Sequence, residues 1–278
     1  MMTPRGAPPA APRPWWARLT APPGPAVSRL VTRGNAAVMC VPGRYSVTYL
    51  LLGPESVVAA DVGSITDVEL VLAALRWLGR PLEQVRYVTP THLHMDHVMG
   101  LDALARTLAA PVALGRVAYE NVTAGRELRW PPRWALVRAL GTYFQQGAPR
   151  PPPLEVRRGL DFGFPWARNR FTARLAPPLE YGAPLPEMPG WTLLHTPGHA
   201  DDAVCLYHEE ARFLVSGDTV RNFLGGEWNP LLCDPEDYAR TKRRLLELDV
   251  EAIFPGHGPV VEGSGLIGKL KKYPFFVP

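Results

Sequence analysis

A chain of 278 residues with ordinary apolar content is long enough to bury one large α/β core. Three scattered cysteines (Cys40, Cys205 and Cys233) and no continuous apolar run of about 20 residues argue against a disulfide framework, a thiolate zinc site and a membrane span. The formal charge is only +4, but 32 prolines exceed average usage and punctuate much of the chain.

Residues 1–26 read as a flexible Pro/Ala-rich tail with arginines but no apolar h-region, so no secretory signal is expected there and the expected compartment is cytoplasmic. The main domain is expected over 27–263, followed by a C-terminal extension, 264–278. VTYLLL (47–52) and VVAAD (57–61) are two predicted strands joined by a Gly-Pro turn. ITDVELVLAALRWLG (65–79) has apolar residues at helical spacing, Asp67 and Glu69 in its first turn and Gly79 at its end. QVRYVTP is a short strand, VMGLDALARTLAA a helix stopped by Pro111, and PVALG another short strand.

Residues 116–188 break this rhythm with WPPRW, PRPPP, FPW and APLPEMP. RWALVRALGTYFQQ (133–146) places Leu136, Val137, Leu140, Tyr143 and Phe144 on one helical face. The aromatics Trp130, Trp134, Phe162, Phe164 and Trp166 favour a packed lid over disorder, and a cluster of this kind serves equally as a subunit contact. Residues 116–175 hold eleven arginines against Glu120, Glu127, Glu155 and Asp161, a balance of +7 that leaves −3 for the rest. Such a run reads first as a solvated surface and otherwise as a footprint for an anionic substrate or nucleic acid. Regular structure resumes with the strands of WTLLHTPGHADD and AVCLYHEEARFLVSGDTV, the helix PEDYARTKRRLLELD, and the strand VEAIFPGHG.

Four segments share one design: RYVTPTHLHMDH, TLLHTPGH, FLVSGD and AIFPGHG. Each is an apolar strand whose carboxyl end runs into a loop bearing His or Asp, the place where sites gather in α/β proteins. If the strands lie side by side, His92, His94, Asp96, His97, His199, Asp218 and His257 converge. Nitrogen and oxygen donors of this kind suit zinc and also suit iron. Alternate residues of an extended stretch point the same way, so His92 and His94 reach one metal together. Asp96 and His97, after the turn, face a second, and Asp218 is assigned between the two. Two cations would acidify a shared water and supply a nucleophilic hydroxide at neutral pH.

THLHMDH, TPGHADD, SGDTV and FPGHGP resemble the metallo-β-lactamase fold superfamily, in its hydrolase branch, from about residue 36 to 263. The resemblance, interrupted by the 116–188 region that reads as an inserted lid, implies an α/β fold, specifically an αββα sandwich of two mixed β-sheets flanked by helices. It implies one metal on His92, His94 and His199 and another on Asp96, His97 and His257, with Asp218 bridging, and two Zn²⁺ as the expected cofactor with iron as the alternative. Asp61 matches the early strand-end aspartate that supports the site. Asp96 and His257 are the expected catalytic residues. His195 reads as packing or as support for the ligands, and His208, in a charged turn, as solvated. Asp201 and Asp202 either hold a ligand imidazole or start the next segment. Arg221 and Asn222 can reach substrate.

The expected activity is a dinuclear metal-dependent hydrolase in which a metal-bound hydroxide attacks an ester, thioester or lactone. Two alternatives stand beside it: cleavage of single-stranded RNA at the same site, which the arginine stretch would suit, and persulfide oxidation at one iron. A small-molecule partner is favoured over nucleic acid.

Overall fold

The computed structural model describes residues 28–132, 161–164, 167–223 and 225–272. The N-terminal tail, the amphipathic helix expected over 133–146, and Trp134 and Trp166 lie outside the described residues.

Two five-stranded sheets face each other. The first runs in the order β1 (Arg29–Arg33), β2 (Ala36–Pro42), β3 (Val47–Leu52), β4 (Val57–Ala60) and β5 (Val85–Thr89). Its first four strands form an antiparallel meander, and β4 pairs with β5 in parallel after a crossover through helix α1 (Asp67–Trp77). In the second sheet the order is β12 (Val261–Glu262), β11 (Ala252–Pro255), β8 (Phe213–Gly217), β7 (Val204–His208) and β6 (Trp191–His195). There β11 and β8 are parallel, and the remaining pairs are antiparallel. Between β8 and β11 the chain makes a small two-stranded ribbon of β9 (Val220–Arg221) and β10 (Glu227–Trp228), and then a helix over Pro235–Leu245. Each sheet is thus mixed, as expected.

The strand alternation builds the layers. In β2, Val38 and Cys40 point into the core between the sheets, while Met39 and Val41 point to the outer core under the helices. In β8, Phe213 and Val215 enter the inter-sheet core and Leu214 faces the opposite outer layer; β11 repeats this with Ala252 and Phe254 against Ile253. Helix α1 buries Val68, Val71, Ala74 and Leu75 on one face, the 3.6-residue pattern of its sequence. The helix over Pro235–Leu245 is capped by Asp234, whose carboxylate accepts the N–H groups of Glu236 and Asp237, with proline in its first turn.

Three expectations change. VMGLDALARTLAA is not one helix but α2 (Met95–Val98) and α3 (Leu101–Thr107), separated at Met99 and Gly100. PVALG forms no strand; Val112 makes single bridges to Val88 and Leu175, and a helix α4 (Arg116–Ala124) follows. Pro111 lacks the N–H a ladder needs. The helix over Pro235–Leu245 is α5 in this count, and α6 (Leu266–Lys269) closes the described chain. His208 is not solvated: it lies in β7, 1% exposed, edge-on to Trp191, its Nδ1 accepting the Ala211 N–H. The charged pair Glu209–Glu210 that follows it made the position look open, but the period of β7 turns the imidazole inward.

Candidate metal centre

The four ligand-bearing strands do not lie side by side in one sheet. β5 belongs to the first sheet, and β6, β8 and β11 to the second, with β7 between β6 and β8. The loops still meet, because cross-sheet hydrogen bonds hold them. The Val204 N–H donates to the Thr91 carbonyl at 2.8 Å, the Val47 N–H to Gly256 at 3.0 Å, and the Tyr49 hydroxyl to Pro255 at 2.6 Å.

His92 and His94 leave the end of β5 in extended loop, and Asp96 and His97 occupy the first turn of α2. His199 follows β6, Asp218 follows β8 directly, and His257 follows β11. All seven come together. Their donor atoms group within 4.8 Å as His92–His94–His199, His92–His97–Asp218 and Asp96–His97–His257. His94 Nδ1 lies 3.0 Å from His199 Nε2. Asp218 stands centrally: Oδ1 is 3.3 Å from both His97 Nε2 and His257 Nε2, and Oδ2 is 3.5 Å from His199 Nε2. Asp96 Oδ2 is 3.2 Å from His257 Nε2.

A cation fits these residues. His92 Nε2, His97 Nε2 and Asp218 Oδ1 are buried with no hydrogen-bond partner among the described residues, a state native proteins seldom leave uncompensated. Gly256 keeps the space open, since a Cβ there would lie 2.5 Å from Asp218 Oδ1 and 2.6 Å from His97 Cε1.

A surrounding shell orients the donors. Asp61, fully buried and left-handed at φ 61°, accepts the Thr91 N–H at 2.6 Å and the Thr91 hydroxyl at 2.9 Å, and faces His97 Nδ1 at 3.0 Å. The Thr91 hydroxyl also meets His92 Nδ1 at 3.2 Å. His199 Nδ1 donates to the Leu231 carbonyl at 2.6 Å, which leaves Nε2 as the bare nitrogen. Asn229 places its amide nitrogen 3.2 Å from the same Nδ1 and donates to the Asp218 carbonyl at 2.8 Å. Asp202 grips backbone rather than an imidazole: it accepts the Leu93 N–H, between two histidines, at 2.9 Å, and burial pushes its carboxyl up to about 7. Asp201 instead lies at the surface beside Arg129.

The charges divide the cluster. Burial drives His92 well below the ordinary imidazole range, with His97, His94 and His199 adding to it, and burial lowers His94 to about 3. Burial also opposes charge on His97 and His257. The carboxylates of Asp61, Asp96 and Asp218 outweigh it at His97, and Asp218 with Asp96 raises His257 to about 9. Asp218 feels burial upward, yet His257 and His97 hold it well below the usual carboxylate range.

His195 packs away from the donors, stacked on Tyr181 at 4.4 Å with its Nε2 2.9 Å from the Asp201 carbonyl. Arg221 is buried in β9 with its guanidinium 5.3 Å over Phe223, so it is not displayed to solvent. Trp130 reads from sequence as lid core; its ring lies 4.8 Å from His94, tilted by 41°, and Phe164 lies parallel to it at 6.3 Å. Thr91 and Asn229 were not singled out from sequence. Thr91 opens the THLHMDH segment and was legible there; Asn229, in GEWNP, carries no motif. Asn229 accepts the Leu231 N–H at 3.0 Å, so Asn229→Ala is expected to weaken metal binding about 10-fold, by freeing the segment whose carbonyl holds the His199 ring, in a competition titration against a chromogenic chelator.

The profile of the metallo-beta-lactamase superfamily matches residues 41–257. The chain belongs to that superfamily, and it is a hydrolase of the metal-binding kind. It is 26% identical over 240 residues to a probable metallo-hydrolase, YqjP, of Bacillus subtilis (strain 168), covering 80% of this chain and 70% of that one. Over a shorter stretch of 70 residues it is 37% identical to the acyl-coenzyme A thioesterase MBLAC2 of Homo sapiens, covering 24% of this chain and 25% of that one. Among solved structures, that of TTHA1623 in a di-iron-bound form superposes with a TM-score of 0.53 at 24% identity, covering 89% of this chain and 99% of that one. No helix among the described residues is long and apolar enough to cross a membrane.

Proposed function

We propose that this chain hydrolyses thioesters at a dinuclear metal centre. The observation that carries the reading is the buried donor cluster, in which atoms with no hydrogen-bond partner among the described residues stand next to a central carboxylate. The similarity to an acyl-coenzyme A thioesterase supports a thioester over a lactone or an RNA.

His92, His94 and His199 would hold one cation, and Asp96, His97 and His257 the other, with Asp218 between them. Zinc and iron both suit these donors. When bound, such cations polarise a carbonyl oxygen and acidify water. The chain's own residues do the rest. Asp61 and the Leu231 carbonyl, itself held through Asn229, fix ring orientation, so the lone pairs face inward. Asp96 is the least covered member, its side chain 31% exposed against 9% for Asp218. Its carboxylate is therefore placed to take the proton of the attacking water and pass it outward. Water adds its oxygen to the carbonyl carbon, the C–S bond breaks, and the thiolate leaves to take up a proton. The Trp130 and Phe164 rings cover the His94 side and limit water there.

The test pairs elemental analysis of protein purified without added metal with turnover of acyl thioesters, lactones and single-stranded RNA. About two metals per chain and chelator-sensitive thioester cleavage are expected. RNA cleavage with inert thioesters would replace the reading, as would one iron per chain with persulfide oxidation.

A further inference from the structure

Behind the metal loop lies an open cleft of about 600 Å³, lined by Ile65, Met99, Phe162, Arg106, Arg168 and Arg170 together with Asp102 and Asp161. Its lining holds three arginines against two aspartates, and one of each is paired within the protein, which leaves Arg168 and Arg170 against Asp161. Asp102 is consumed within the protein: Oδ1 accepts the N–H groups of Thr172 at 2.7 Å and Ala173 at 2.8 Å, and Oδ2 accepts the Thr172 hydroxyl at 2.7 Å and Arg106 Nε at 3.1 Å. Arg168 and Arg170 are exposed and form no ion pair among the described residues. Between them Asn169 is 2% exposed, and its side chain accepts the Gly163 N–H at 2.7 Å. Its own N–H donates to the Asp161 carbonyl at 3.0 Å. The two guanidinium groups thus project from a loop pinned by a buried amide.

The cleft adjoins the metal centre. Met99, in its wall, follows Asp96 by three residues, about one helical turn. Gly163 presses on the ligand loop so closely that a Cβ there would lie 2.1 Å from the Met95 nitrogen. Phe162 lines the cleft, and Phe164, two residues or about 7 Å along the chain, stacks on Trp130, whose ring lies tilted 4.8 Å from His94. The cleft and the ligand loop are therefore neighbours, meeting at Met99 and Gly163.

We propose that this cleft docks the phosphate-bearing part of the thioester's leaving group, while the acyl carbonyl reaches the metal centre past Trp130 and Phe164. The proposal rests on the thioesterase reading and names its substrate class: thioesters of a phosphorylated thiol such as coenzyme A. Guanidinium forks match phosphate oxygens in geometry and charge.

The test uses the full chain with Arg168→Gln and Arg170→Gln together, both exposed and neither among the metal ligands. Adenosine 3′,5′-bisphosphate is titrated calorimetrically at low and high salt, and KM is measured for an acyl-coenzyme A and for the matching acyl-N-acetylcysteamine. The double variant is expected to weaken bisphosphate binding about 10-fold, and to raise KM for the coenzyme A thioester by a similar factor. Its kcat and its KM for the truncated thioester are expected to stay unchanged. Equal bisphosphate binding by both proteins, or none by either, would overturn the subsite. Binding that is lost in the variant, without turnover of any thioester, would keep the subsite and overturn the thioesterase reading instead.

Discussion

Asp218→Ala is expected to bind fewer metal ions per chain than the parent and to lose on the order of 10³-fold or more in kcat, because several kcal/mol of charge stabilisation pass through that position. The carboxylate sits within 3.5 Å of nitrogens from His97, His199 and His257, which come from three different segments of the chain. No neighbouring carboxylate replaces it; Asp96 reaches His257 but lies 4.0 Å from His97 Nε2. The alanine variant also removes the negative charge that raises His97 and His257, so those imidazoles no longer gather around one anion. Elemental analysis and turnover, with circular dichroism to confirm folding, read the result. Full metal content with full activity would show that the cluster works without its central carboxylate and would discard the dinuclear assignment.

The second large effect is expected at Asp61, where two substitutions separate charge from shape. Asparagine tolerates the left-handed backbone of this position and can still accept from Thr91. Asp61→Asn is therefore expected to keep its melting temperature while weakening metal binding at the His97 side about 10- to 100-fold, since the His97 imidazole loses the carboxylate that faces it at 3.0 Å. Asp61→Ala loses the acceptor altogether. It strands the buried Thr91 N–H at a cost of about 1–3 kcal/mol and adds about 1 kcal/mol for a left-handed alanine. Thermal melts of the metal-free proteins should separate the two variants, and metal titrations should place them together. If both variants bind metal as the parent does, Asp61 is only a packing residue.

Much of the centre was legible because its residues are strand-end residues. A strand announces its carboxyl end by the loss of alternation, and His92, His199, Asp218 and His257 each follow such a loss within a few positions. What sequence did not show is which strands share a sheet. The four segments look alike, yet β5 pairs with β4 in one layer while β8 and β11 pair in the other, because crossovers through α1 and α5 bring parallel partners together only within each half. The supporting residues divide the same way. Asp61 and Thr91 stand next to recognisable motifs, whereas Asn229 reaches His199 through a loop whose course depends on tertiary packing: Tyr238 accepts its N–H at 2.7 Å from the next helix. His208 misled for a related reason. Its neighbours in sequence are acidic, but its neighbours in space are Trp191 and Gly190, where an added Cβ would lie 2.4 Å from the imidazole Nε2.

Cutting the chain's ligand list by sheet gives His92, His94, Asp96 and His97 to the first layer and His199, Asp218 and His257 to the second. Each proposed metal position then draws donors from both layers, and neither layer owns a complete set. A cation held there is mortar as well as reagent, and its binding free energy becomes adhesion between the two halves of the chain. Scarcity of the ion would be felt first as a loosened seam and a shorter-lived protein, in a molecule whose separate sheets are otherwise intact.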